Sequence, residues 1–119
     1  MSEKITLQQL RELSEAKAAP VLSKAEQAKR YGKSLSVKAI YTHEVQLLDQ
    51  KTNLLASHTR VLFDIGESAM LSFVSQQAAS FVDLLRDYEP TLKFNPPITV
   101  RVDPVETRSG YRTYSFAVL

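Results

Sequence analysis

The chain contains no cysteine. Disulfides and thiolate metal sites are therefore excluded, and a thiol-free chain fits a reducing compartment. Only three glycines occur, Gly32, Gly66 and Gly110. They lie too far apart for a phosphate-cradling loop. The longest apolar runs are a few residues, against the roughly 20 a membrane helix needs. The opening stretch, MSEKITLQQL, lacks the apolar core of a secretory signal. These absences predict a cytoplasmic protein with no membrane partner. Histidine is scarce as well. His43 and His58 stand at no recognised ligand spacing, either with each other or with Glu44 or Asp64. No G-x-S-x-G element surrounds a serine. Asp64 and Glu67 flank a turn, where solvated carboxylates are the plainer reading. No catalytic residue, metal or cofactor is expected, so the chain reads as a non-enzyme.

What is present is a length of 119 residues, 44% of them hydrophobic, enough for one domain with a modest core. Net charge is only +2, but it is unevenly spread. Lys17, Lys24, Lys29, Arg30, Lys33 and Lys38 face a single acid, Glu26, in their segment. Asp64, Glu67, Asp83, Asp87 and Glu89 face a single cation, Arg86. Lys93, Arg101, Arg108 and Arg112 then outnumber Asp103 and Glu106. Such polarity suits an anion-binding face with an acidic back. A mixed solvated surface is the competing reading.

Thr6 with Gln9, and Ser23 with Glu26, have the form of helix capping boxes. They predict short helices over about 7–18 and 24–31, broken near Pro20. This arm, residues 1–31, could lie over one end of the domain, hang free as a basic tail, or contact a second subunit. Gly32 then serves as a helix C-cap. Leu35, Val37, Ala39 and Tyr41 alternate with polar or smaller neighbours, which predicts a first strand running toward Leu48. A polar turn at 49–53 leads to a second strand over about 55–65. Gly66-Glu67-Ser68 is a tight turn, and 69–74 a third strand. Residues 75–88 switch to helical period, with Ala78, Phe81, Val82 and Leu85 as the dry stripe and Ser75 as N-cap. A loop from Glu89 to Pro97 follows, containing Lys93 and Phe94.

The last quarter, PITVRVDPVETRSGYRTYSFAVL, reads as a closing hairpin. Ile98, Val100 and Val102 share one face of its first strand, and Tyr111–Val118 forms the second. Arg108, Tyr111, Arg112 and Tyr114 gather near its tip. Three strands, a helix and two strands is the element order of the OB fold, a small five-stranded Greek-key barrel. The expected class is thus mainly β: an OB-type barrel over 32–119, with one helix between strands three and four, behind a helical arm. The alternative merges 68–88 into one long helix and gives an open α+β sandwich. Leu71-Ser72-Phe73-Val74 is rich in strand formers, which favours the strand.

Three stretches resemble the OB-fold single-stranded DNA-binding proteins of phages and mobile elements: GKSLSVKAIY at 32–41, LFDIGESAMLSFVSQQAASFVDLL at 62–85, and the closing hairpin at 98–119. The helical arm lies outside that likeness. So does the C-terminus, Phe116-Ala117-Val118-Leu119, which is not the acidic tail of housekeeping single-strand binders. The resemblance implies a non-catalytic protein that binds single-stranded DNA with little sequence preference during replication or recombination. Rings stack on bases and cations follow phosphates in such proteins. By residue type and place, Tyr41, Phe94, Tyr111 and Tyr114 are the stacking candidates. Lys33, Lys38, Arg60, Arg101, Arg108 and Arg112 are the phosphate candidates. Tyr111 and Tyr114 have opposite parity in one strand, so an unbent strand puts at most one of them on the binding face. Phe63, Phe73, Phe81 and Phe116 belong to the core. The runner-up function is a small protein-interaction module or inhibitor of a host protein, docking through the acidic helix or the arm. A third is a component that assembles into homo-oligomers through the arm.

Overall fold

The computed structural model describes residues 7–106, 108, 110 and 112–119. Its elements are α1 (Leu7–Ala18), α2 (Lys24–Ala28), β1 (Leu35–Asp49), β2 (Leu54–Asp64), β3 (Leu71–Phe73), α3 (Gln76–Arg86), β4 (Lys93–Glu106) and β5 (Arg112–Val118). The five strands form one antiparallel sheet in the order β3-β2-β1-β4-β5. No helix among the described residues is long and apolar enough to cross a membrane.

β1 is central because it is long enough to serve two neighbours. Its first part, Leu35 to Ala39, pairs with β4, and Ala39 to Asp49 pairs with β2. Between Val37 and Ala39 the register with β4 shifts, two steps along β1 facing the five from Ile98 back to Lys93. Across this shift the strand changes parity. Leu35 and Val37 point into the core before it, and Ile40 does so after it, opposite Phe63. Past the end of β3, the β1–β2 hairpin continues as a two-stranded ribbon with Leu47, Leu48, Leu54 and Leu55 exposed.

The core lies on one face of the sheet and is roofed by α3. Val37, Ile40, Val61, Phe63, Leu71, Phe73, Val100 and Val102 meet Ala78, Val82 and Leu85. Ser75 caps α3, its hydroxyl accepting from the Ala78 N–H at 3.1 Å. Ser23 does the same for the Glu26 N–H at 3.2 Å. The Thr6 cap lies outside the described residues. Aromatic rings fill the end of the core: Phe81 stacks on Phe116 at 5.3 Å, and Phe73 meets Phe116 edge-on at 5.2 Å.

Residues 71–73 are a strand and do not join the helix that follows, so the long-helix alternative is set aside. Two expectations need correction. The stretch from Glu89 to Pro97 is not all loop, since β4 begins at Lys93, which pairs with Ala39. Pro96 and Pro97, which bring no N–H, fall where the β1–β4 ladder is interrupted between Lys93 and Ile98. The sheet also does not close. No β3–β5 ladder exists among the described residues.

The reason lies in the N-terminal arm, which occupies the outer edge of β3. The Leu22 N–H donates to the Met70 carbonyl at 2.9 Å, and the Met70 N–H donates to the Pro20 carbonyl at 3.1 Å. Gln27 continues the pairing with its side chain. Its Nε2 donates to the Ser72 carbonyl at 3.1 Å, and its Oε1 accepts from the Ser72 N–H at 2.9 Å. One carboxamide thus stands in for the peptide of a neighbouring strand. Arg30 adds a fork to Glu67 in the β2–β3 turn, at 3.0 and 2.5 Å. Tyr31 then stands between the two unpaired strands, its ring 6.5 Å from Phe73 and 5.4 Å from Tyr114. Its hydroxyl accepts from Gln27 Nε2 at 2.9 Å. The seam is bridged by side chains where a closed barrel would use backbone.

Gln27→Leu removes the partner of both Ser72 backbone groups while keeping most of the volume. It should lower stability by about 1–3 kcal/mol, the usual cost of stranding buried polar groups, read from the urea midpoint at unchanged slope. Burial, then the Tyr114 hydroxyl, pushes the Tyr31 phenol up from 10.0 to about 12. The folded state therefore holds this proton longer than the unfolded chain does. The stability so gained is present below pH 10 and is lost as pH rises toward about 12. Tyr31→Phe should flatten the fall in stability across that window, measured by urea titration at successive pH values.

Candidate nucleic-acid interface

Residues directly opposite one another in an antiparallel pair share a face of the sheet. Val100 and Val102 point into the core, so their neighbours along β4 point outward. This puts Thr99, paired with Ser36, on the outer face. Arg101, paired with Ala117, and Asp103, paired with Ser115, join it. The result is a flat patch of small side chains, with Ser36, Arg101 and Ser115 exposed.

Three of the cations singled out above border this patch. Arg101 lies on it and is tied to Asp103 at 2.9 Å. Lys33, exposed, follows Gly32, whose N–H donates to the Val102 carbonyl at 2.8 Å and so draws it beside β4. Lys38, also exposed, sits at the register shift and lays its chain across Gly66. Its Cε is 3.2 Å from where a Gly66 Cβ would stand. Gly66 has φ +78°, and its missing side chain is what allows the lysine to pass so close. Neither lysine is in an ion pair among the described residues.

Farther along β1 the same face is covered. Tyr41 pairs with Leu62 and His43 with Arg60. Leu62 is fully buried there. The cover is α1, which packs on β1, buries Ala16 and sets Glu12 in an ion pair with Lys93. Tyr41 is half-buried, and burial followed by the charge of Asp64 raises its phenol above the ordinary value. Burial lowers the His43 imidazole, with Lys17 of α1 and Arg60 adding to the effect. Its Nε2 is buried without a hydrogen-bond partner among the described residues. Arg60 is half-buried and donates from Nε to the Ser72 hydroxyl at 2.8 Å.

The remaining candidates lie elsewhere. Phe94 is half-buried against the core. Tyr114 also turns inward, its ring 5.3 Å from Phe73. Arg108 is exposed in the β4–β5 connection. Tyr111 and the side chain of Arg112 lie outside the described residues. Arg101 thus lies on the open face with Lys33 and Lys38 exposed at either side of it, Tyr41 and Arg60 lie on the same face beneath or beside the arm, and Phe94 and Tyr114 turn to the core side.

Sequence reasoning passed over Ser36, Thr99, Ser115 and Ala117, which make the face flat. Their signal was the polar half of the same alternation that revealed the core. It also passed over Gln27, since nothing local marks a glutamine that pairs with a strand many residues away. Among the described residues no three His, Asp or Glu side chains come together as a metal site would require. No protein-family model, no curated protein and no solved structure matches this chain.

Proposed function

We propose that the chain is a non-catalytic binder of single-stranded DNA, built on an OB-type sheet and largely indifferent to sequence. The observation that carries this reading is the strand order. β1 bonds both β2 and β4, and α3 falls between β3 and β4. An OB barrel opened between its third and fifth strands has this order. Oligonucleotides bind such barrels across the face of strands two and three and the adjoining loops; here the open part of the outer face lies on β1, β4 and β5. The outer face bordered by Lys33, Lys38 and Arg101 offers positive charge on a flat polar floor. The resemblance of 32–41, 62–85 and 98–119 to mobile-element single-strand binders supports the same class of ligand, and with it a role on replication or recombination intermediates.

With Tyr114 and Phe94 facing the core, stacking contributes less than in ring-rich binders, and phosphate contacts dominate. Affinity then falls steeply with salt, because neutralising each phosphate releases counterions. Fluorescence titration of the full chain with oligo(dT) should show this, with weaker binding to a duplex of equal length. Lys33→Gln with Lys38→Gln should weaken binding and reduce the log–log salt slope by about 1.4, because each single-strand phosphate left without its cation takes about 0.7 from that slope. Flat salt dependence, or a double variant that binds as tightly as the parent chain, would overturn the reading.

A further inference from the structure

Where the sheet stays open, the arm and the two unpaired strands line a cavity of about 550 Å³. Small-molecule sites run from roughly 300 to 1,000 Å³. One wall is a single face of the arm, where Lys24, Gln27, Ala28 and Tyr31 recur at helical spacing. Ser72 of β3 and Tyr114 of β5 line the rest, with Val21 and Leu22. The polar groups form a chain. The buried Gln27 carboxamide is fixed by both Ser72 backbone groups, and it donates to the Tyr31 hydroxyl at 2.9 Å. The Tyr31 hydroxyl in turn directs its proton at that of Tyr114. A phenol has a single O–H. The Tyr114 hydroxyl therefore stands at the end of the chain with its own proton to give. Lys24 is exposed and in no ion pair among the described residues. No carboxylate among the described residues lines the cavity. Glu26, the acid nearest in sequence, is held by Lys29 and Arg30.

We propose that this seam cavity binds a small organic carboxylate with an apolar body, its oxygens on Lys24 and the Tyr114 hydroxyl and its hydrocarbon part on Val21, Leu22 and Ala28. The donor set narrows the class. One lysine and one hydroxyl match a monoanion. A phosphate monoester carries close to two charges at neutral pH and would leave one of them without a partner. A neutral ligand gains nothing from Lys24. A wholly polar anion leaves Val21, which is 40% exposed, and Leu22 in contact with water. The site is also held ready. Gln27 is clamped to Ser72 and to Tyr31 before any ligand arrives, so little ordering has to accompany binding. A ligand here touches the arm and β5 together and ties them across the open seam. Lys33, Lys38 and Arg101 are not among the walls.

The test titrates the full, isotope-labelled chain with benzoate, phenylacetate, hexanoate and octanoate, and with the primary amide of each, followed by nuclear magnetic resonance. Backbone amide shifts should gather at residues 21–28, Tyr31, Ser72 and Tyr114. For at least one carboxylate they should saturate with a Kd of about 1 mM or below, an ordinary value for a ligand of about ten heavy atoms. The matching amide should bind about fivefold more weakly. Lys24→Gln, a change at an exposed position, should weaken the carboxylate about fivefold and leave the amide as it was. Tyr114→Phe keeps the ring and should weaken the carboxylate by about threefold to tenfold. A saturating carboxylate should raise the urea midpoint, since only the folded chain has the seam. The proposal is overturned if no carboxylate gives saturable shifts at these residues, if the amides bind as tightly as the acids, or if either variant binds as tightly as the parent chain. Shifts that gather instead at Leu47, Leu48, Leu54 and Leu55 also overturn it, because they report adhesion to exposed apolar side chains. None of these results depends on oligo(dT) binding.

Discussion

The architecture depends on how the outer edge of a three-residue strand is satisfied. β3 is only three residues long, yet it carries Leu71 and Phe73, both buried in the core. Its backbone groups need partners, because an unpaired buried amide costs as much as a lost hydrogen bond. The arm supplies them, first with main chain at 20–22 and then with the carboxamide of Gln27. Without the arm, Ser72 and Met70 would present open groups beside the largest cluster of rings. The arm is therefore part of how the sheet is finished.

That arrangement explains why the sheet stays open. The position that β5 would need against β3 is held by residues from the start of the chain. What joins the two strands is a set of tilted and edge-on rings, Tyr31, Phe73, Tyr114 and Phe116. Ring pairs of this kind contribute about 0.5–1.5 kcal/mol each beyond their burial. They also leave the edge of β5 away from β4 without a backbone partner among the described residues. The outer face keeps its exposed cations, Lys33, Lys38 and Arg101.

Much of this was legible in the residues. Ser23 and Ser75 announced their helices, and the stripe of Ala78, Val82 and Leu85 announced the buried side of α3. Alternation around Val37 and Val100 marked the strands that carry the core. Legibility stopped where long-range partners decide. Tyr114 carries the same residue type whether it stacks on a base or on Phe73, and only the neighbours in space distinguish the two. Lys93 looked like a loop residue because Pro96 and Pro97 follow it. Its pairing with Ala39 lies beyond a register shift that residues 94–97 of its own strand take up. The closed barrel was expected from element order, which is blind to an arm that occupies the free edge of β3.

The register shift between β1 and β4 has a consequence for how the sheet accommodates change. It lies inside the β4 ladder, between Val37–Ile98 and Ala39–Lys93, whereas the β2 ladder runs unbroken from Ala39 to Asp49, so the β4 pairing before it and the β2 pairing after it are keyed separately. A one-residue slip against β4 would exchange Val37 with a polar neighbour, yet it would stop at the shift and leave Ile40 facing Phe63. The central strand behaves as two short rulers joined end to end, so an error read from one is not copied onto the other.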